Sequence, residues 1–204
     1  MSKEPFDPTP QQLAIIHHDG SAFIRACPGA GKTRVMVERA RLLFKEMPLG
    51  RGVAFLSFTQ AAVFELDMLL RQQNILNAPV FPSFIGTFDS FVWQFLIAPF
   101  GINGSDARPR LIADLTDFIL KPFPGKHPLP LSCFDPHTNK IISDAAKRRG
   151  FDVSQKSASQ VQTFETFARN IQDDLRQRGY LGFDQARDEA LKRLNQQALS
   201  GRIA

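Results

Sequence analysis

Over the first hundred positions, short apolar runs of strand length alternate with longer stretches of helical spacing. The runs are residues 22–24 (Ala, Phe, Ile), 53–57 and 80–86, the last interrupted early by Pro82. Residues 10–18 open the series as a helix, with Thr9 as N-cap, Pro10 at the first helical position, and Leu13 and Ile16 on one face. Residues 31–46 follow, with Val35, Val37, Ala40, Leu42 and Leu43 as the apolar positions and Pro48 and Gly50 as the stop. Residues 60–73 offer Ala62, Phe64, Leu66, Leu69 and Leu70 for packing, and residues 87–98 offer Phe91, Val92, Trp93, Phe95 and Leu96. Strands alternating with helices predict an α/β fold with a parallel sheet and right-handed crossovers.

The pattern changes at residues 99–109. Beyond them no convincing strand is visible. Residues 111–120 read as a helix, 121–136 as a Pro-rich extended loop, and 141–149 as a helix stopped by Gly150. In residues 159–178, Val161, Phe164, Ala168, Ile171 and Leu175 form a core-facing stripe, closed by Gly179. Residues 183–199 form a last helix with Ala186, Ala190, Leu191, Leu194 and Ala198 inward. The expected organisation is therefore residues 1–98 as an α/β region and 99–204 as a helical subdomain, with no internal repeat.

The apolar run at 22–24 leads into Pro28-Gly29-Ala30-Gly31, then Lys32-Thr33, then a helix. A strand–loop–helix of this composition is a phosphate-binding P-loop. Gly29 and Gly31 allow dihedrals that a Cβ forbids, so successive N–H groups can point into one concavity, which the positive end of the helix also faces. Lys32 can reach β- and γ-phosphates, and the Thr33 hydroxyl can ligate magnesium. Ala26 stands where the usual pattern has its first Gly, so a glycine-rich loop with a chance Gly-Lys-Thr is the plain alternative.

Composition adds little. The chain has 204 residues, 43% hydrophobic, enough for a core. A net charge of +5 suits an anionic partner or simply a slightly basic surface. Cys27 and Cys133 lie far apart with no metal-ligand spacing, which predicts a reduced, cytoplasmic setting. The polar start carries no apolar leader, and no run approaches the ~18 residues of a membrane helix, so no membrane partner is expected. His17 and His18 read as surface residues beside the Asp19-Gly20 turn.

Four landmarks stand in fixed order: Thr9-Pro10-Gln11-Gln12; residues 26–34 (Ala, Cys, Pro, Gly, Ala, Gly, Lys, Thr, Arg); Ser57-Phe58-Thr59-Gln60-Ala61-Ala62; and Gly86-Thr87-Phe88-Asp89. Together they resemble the N-terminal part of the UvrD/Rep/PcrA-like superfamily 1A DNA helicases, in which the P-loop begins with Ala. The resemblance is close over residues 8–97 and only in outline beyond. It implies a P-loop NTPase (RecA-like) parallel sheet, incomplete here, with an appended helical subdomain similar to the family's 1B region. ATP and Mg2+ are the implied cofactors. Gln12 would pair with the adenine edge, with Gln11 as runner-up. Ala26, Cys27, Pro28, Gly29, Ala30, Gly31, Lys32, Thr33 and Arg34 would line the nucleotide, with Lys32 and Thr33 catalytic and Thr33 on the metal. Phe58 and Thr59 match motif Ia and Thr87 and Phe88 motif Ib, on the path of single-stranded DNA. Phe58 and Phe88 could equally be core. Where the family commonly has His, this chain has Asp89, read as an N-terminal helix residue rather than a DNA contact.

The family's second motif, an apolar strand ending in Asp-Glu, is not found. Asp188-Glu189 lies inside an amphipathic helix, and Asp114 has no Glu after it. In the family that motif comes about where this chain stops, so the expectation is the front portion of a helicase, which would need the C-terminal part as partner. Alone it should bind ATP weakly and not unwind DNA, and an apolar edge beside the P-loop strand should be exposed or filled otherwise. Two rivals remain: a non-enzymatic single-stranded-DNA-binding or interfering module, and an unrelated P-loop kinase or GTPase.

Overall fold

The computed structural model describes residues 6–48, 50–76, 81–123 and 128–199, with side chains described through 196. Val80 and residues 201–204 lie outside these, as does the side chain of Ala198. The chain divides into two compact units, Met1–Phe88 and Asp89–Ala204.

In unit one, helix α1 (Pro10–Ile16) starts at Thr9, whose side chain accepts from the backbone N–H of Gln12 while the Gln12 side chain accepts from that of Thr9. This reciprocal cap satisfies two donors that a helix start otherwise leaves open. Helix α2 (Lys32–Glu46) starts at Gly31, φ 74°, and buries Val35, Val37 and Ala40. Strand β1 (Ala54–Ser57), helix α3 (Gln60–Gln72) and strand β2 (Phe84–Thr87) form a strand–helix–strand unit with β1 and β2 parallel. Their core joins Val37, Ala40, Phe55, Leu66, Leu70 and Leu76. Two positions expected to pack, Ala62 and Phe64, are exposed; Phe64 lies off the face that α3 buries through Leu66 and Leu70, and Ala62 lies in the first turn.

The expected P-loop strand is not formed. Residues 22–24 have no ladder partner among the described residues, and a strand exists only through such pairing. Phe23 is 91% exposed, and with no strand at 22–24 the expected sheet edge beside it does not exist among the described residues.

Unit two opens within the short helix α4 (Phe88–Phe91), which starts on the last residue of unit one and gives way to a π-helical segment, Val92–Ile97, where one regular helix was expected. The expectation of no further strand is also overturned. Strand β3 (Arg110–Leu111) pairs in parallel with β6 (Tyr180–Leu181), and β4 (Ile119–Leu120) pairs antiparallel with β5 (Leu129–Pro130). The expected helix over 111–120 is absent. Asp114 Oδ1 accepts from the N–H of Thr116 at 2.7 Å, a local turn that competes with helix. The segment read as an extended loop is core: Leu129, Leu131, Cys133 and Phe134 are buried with Leu120, Phe164 and Ala168. Helices α5 (Ser143–Arg148), α6 (Ala158–Gln177) and α7 (Phe183–Leu199) complete the unit. The stripe on α6 packs as predicted through Phe164, Ala168 and Leu175. On α7, Leu191 and Leu194 are exposed, contrary to expectation, whereas Glu189 and Arg193 are buried beside Ala186 and Ala190. Gly179, φ 86°, lets β6 reach β3, because a Cβ there would lie 2.6 Å from the Arg108 carbonyl oxygen.

Candidate nucleotide and nucleic-acid site

Three elements of unit one build the loop region. Arg39 of α2 donates to the carbonyls of Ile15 and Ile16 at 3.1 and 3.0 Å, closing the open end of α1 and fixing it on α2. This strap carried no signal in the sequence. It sets Gln12 against the loop, where Gln12 Nε2 donates to the Ala30 carbonyl at 3.2 Å and Oε1 accepts from Thr9 N at 2.9 Å. Both ends of the carboxamide are thus engaged.

The loop turns through a bond from Ala30 N to the Cys27 carbonyl, 3.2 Å, with Gly29 at φ 80° and Gly31 at φ 74°. A Cβ at Gly31 would come within 3.2 Å of Gln12 Nε2, so the close seat of Gln12 depends on the glycine. Gly31 offers no side-chain cap to α2, so the positive end of that helix faces outward. Lys32 Nζ reaches back to the carbonyls of Ala26 and Cys27 at 3.1 and 3.2 Å, which places its charge over the loop. A concavity of about 510 Å3 opens here between Gly29, Gly31, Lys32, Thr33 and Arg34 on one side and Leu69 and Gln73 on the other. The Arg34 guanidinium lies 5.2 Å from the centroid of the Phe6 ring, a stacking that the Pro-rich start did not announce.

These residues carry the donors that a phosphate chain needs: Gly29 and Gly31 of the loop, the start of α2 without a side-chain cap, and Lys32 border one concavity. For magnesium they supply one oxygen, from Thr33. Among the described residues no group of three His, Cys, Asp or Glu could hold a metal ion.

The strand register brings the other two landmarks together. Ser57 and Thr87 are partners at the carboxyl ends of β1 and β2, so the residues that follow them, Phe58 and Phe88, meet. Their rings stack with centroids 6.3 Å apart and 27° between planes. Phe58 is 92% exposed and is therefore not core. The Thr59 hydroxyl is engaged as N-cap of α3, accepting from Ala62 N at 3.3 Å, and Thr87 is buried.

The remaining carboxylates have partners within unit two. Asp89, in the first turn of α4 as expected, accepts from Arg187 Nε and Nη2 at 2.8 and 3.0 Å. Asp188 pairs with His137 Nδ1 at 2.5 Å. Glu189, fully buried, accepts from Arg176 Nη2 at 2.5 Å and from Asn103 N at 3.0 Å, with Arg193 3.9 Å away. Burial pushes its carboxyl up, but the hydrogen bonds from Arg176 and Asn103 and the charges of Arg176 and Arg193 outweigh this, and the pKa lies below the ordinary 4.5. Among the described residues no helix is long and apolar enough to cross a membrane.

A glycine loop that opens a helix beside a parallel strand pair belongs to the P-loop nucleotide-binding class. Within that class the chain belongs to the UvrD/REP helicase N-terminal domain family, whose model matches residues 8–201. The family is one of ATP-dependent helicases, which use ATP and Mg2+ and bind nucleic acid. The Gabija protein GajB of Bacillus cereus (strain VD045) is 30% identical over 105 residues, 50% of this chain and 20% of that protein. The match thus spans about a fifth of that relative's length. No solved structure matches the chain.

Proposed function

We propose that this chain is the ATP-binding, single-stranded-DNA-contacting front part of a UvrD-type helicase that moves 3′–5′ on DNA. The observation that carries the reading is that Gln12 and Lys32 both bond to the loop ending at Gly31, which with Lys32 and Thr33 borders one concavity, in a chain of this family. The first unit acts as the RecA-like P-loop region and the helical remainder as the 1B-like subdomain. In the ATP site the Gly29–Gly31 backbone seats the phosphates and Lys32 leaves the Ala26 and Cys27 carbonyls for them. Thr33 holds the metal, Arg34 lies beside the nucleotide, and Gln12 reads adenine. ATP supplies the phosphoryl group whose transfer to water drives movement. Phe58 stacks on a base with Phe88 behind it, and the helix starts at Thr59 and Phe88 hold phosphates.

Asp114, Asp188 and Glu189 are each engaged elsewhere, so none is available to polarise an attacking water. This supports the reading that the 204 residues alone neither hydrolyse ATP nor unwind DNA; their nucleotide binding is expected to be weak. The test is ATP hydrolysis with and without single-stranded DNA, with Lys32→Ala prepared in parallel. Activity that DNA stimulates and the variant lacks would overturn the inactive reading. A second reading, a non-enzymatic DNA-binding module, draws on the exposure of Phe58. It requires salt-dependent single-strand binding that survives Lys32→Ala.

A further inference from the structure

Unit two contains a second concavity, of about 420 Å3, walled by α6, α7 and the turn that follows Pro136. Its floor is Gln172, 7% exposed. A relay fixes the orientation of that carboxamide. Gly182 N donates to Gln185 Oε1 at 2.9 Å, and Gln185 Nε2 donates to Gln172 Oε1, also at 2.9 Å. Gln172 Nε2 is left as a buried donor with no partner among the described residues, and Asn139 Oδ1 as a buried acceptor in the same condition. Both residues line the cavity. Buried polar atoms in folded proteins are nearly always bonded to protein, water or ligand.

The charges around these two atoms narrow the occupant. Asp188 is held by His137 and Arg176 by Glu189. Lys192 and Asp173, which also line the cavity, are engaged by no described residue. The wall therefore offers one ammonium and one carboxylate, beside one neutral donor and one neutral acceptor. A simple anion would meet Asp173 and Asp188, and a simple cation would meet Lys192 and Arg176. Among the described lining residues there is no Phe, Tyr or Trp for a nucleobase to stack on, and the one ring present, the His137 imidazole, is held by Asp188.

We propose that this cavity binds a small zwitterion of free amino-acid size, its carboxylate on Gln172 Nε2 and Lys192, its ammonium on Asp173 and Asn139 Oδ1. The volume lies within the usual range for small-molecule sites. The site is contained in unit two and is independent of the nucleotide reading.

The test follows the side-chain NH2 pair of Gln172 by NMR in the full chain, titrated in turn with glycine, L-glutamine, L-arginine and L-glutamate. The expected result is a saturable shift with at least one of them. Lys192→Ala and Asp173→Ala, both at exposed positions, should each weaken it about tenfold, the loss of one charge-assisted contact. Acetate or methylammonium alone should not saturate the shift. Saturation by either as tightly as by the amino acid would overturn the zwitterion. So would no saturable shift with any probe, with Gln172 showing contacts to bound water only, which makes the cavity a hydration site.

Discussion

The Gln12 side chain clamps the loop at Ala30: one end of its carboxamide closes the cap of α1 and the other holds a carbonyl 18 residues on. Gln12→Glu keeps the acceptor for Thr9 N and removes the donor to Ala30. Gln12→Ala removes both and should cost about 1 kcal/mol of stability. In fluorescent-nucleotide titrations both variants should bind ATP about tenfold more weakly and lose preference over GTP, whereas Gln11→Ala should change neither. A preference lost in Gln11→Ala instead would move the adenine contact to that residue.

Lys32→Met removes an exposed ammonium whose partners here are two loop carbonyls. Melting temperature should stay nearly constant, because exposed substitutions shift stability by about 0.5 kcal/mol or less. Nucleotide affinity should fall at least about tenfold, the worth of one hydrogen bond to a charged group. Unchanged affinity would mean that the concavity is not a phosphate site.

Phe58→Ala tests the aromatic pair at the strand ends. With the ring so exposed, its loss leaves the fold intact. Single-strand affinity at low salt should drop by about 1–3 kcal/mol, the usual worth of a base–aromatic stack. Phe88→Ala should act in the same direction. Binding indifferent to both substitutions would remove this surface from the DNA path.

Glu189→Ala should destabilise the second unit by about 3–5 kcal/mol, because it leaves the Arg176 and Arg193 charges without their shared carboxylate. Asp89→Ala opposes a partly exposed pair with Arg187 and should cost about 1 kcal/mol or less. Thermal melts of the two variants side by side decide this ordering.

The same carboxylate sets a pH response. The Glu189 pKa in the folded chain lies below the ordinary 4.5, so below that pH the unfolded chain binds more protons than the folded one. Its contribution is fully present above 4.5 and is lost as pH falls toward the lower folded value. A melting profile from neutral to acid should show this loss, and Glu189→Gln should lack that part of it.

The parts of the fold legible in the sequence are those written locally. Thr9 with Pro10 marked a helix start, and the three-and-four spacing from Phe164 to Leu175 marked the buried face of α6. What stayed hidden depends on partners distant in sequence. Arg110 pairs with Tyr180, which no local pattern reports, and Leu111, Leu115 and Phe118 mimic helical spacing until the Asp114 turn is seen to break it. On α7 the inward face follows the expected period but carries Glu189 and Arg193, admitted because each charge has its opposite nearby. In the candidate site the P-loop residues were readable as a string. The Arg39 strap was not, and the meeting of Phe58 with Phe88 required the register of two strands.

Helix α7 has a consequence for the order of events during synthesis. It supplies Arg187 to Asp89, Glu189 to Asn103 and Arg193 to the carbonyls of Leu96 and Gly101. The earliest residues of the second unit thus find these partners only in its last helix. At a ribosomal pace of about 5–20 residues per second, they leave the tunnel several seconds before α7 follows them. Through that interval Val92, Ile97 and Ile102 lack the Ala186 and Ala190 that bury them in the finished unit. The opening stretch of the second unit is therefore the part of the nascent chain that holdase chaperones should bind.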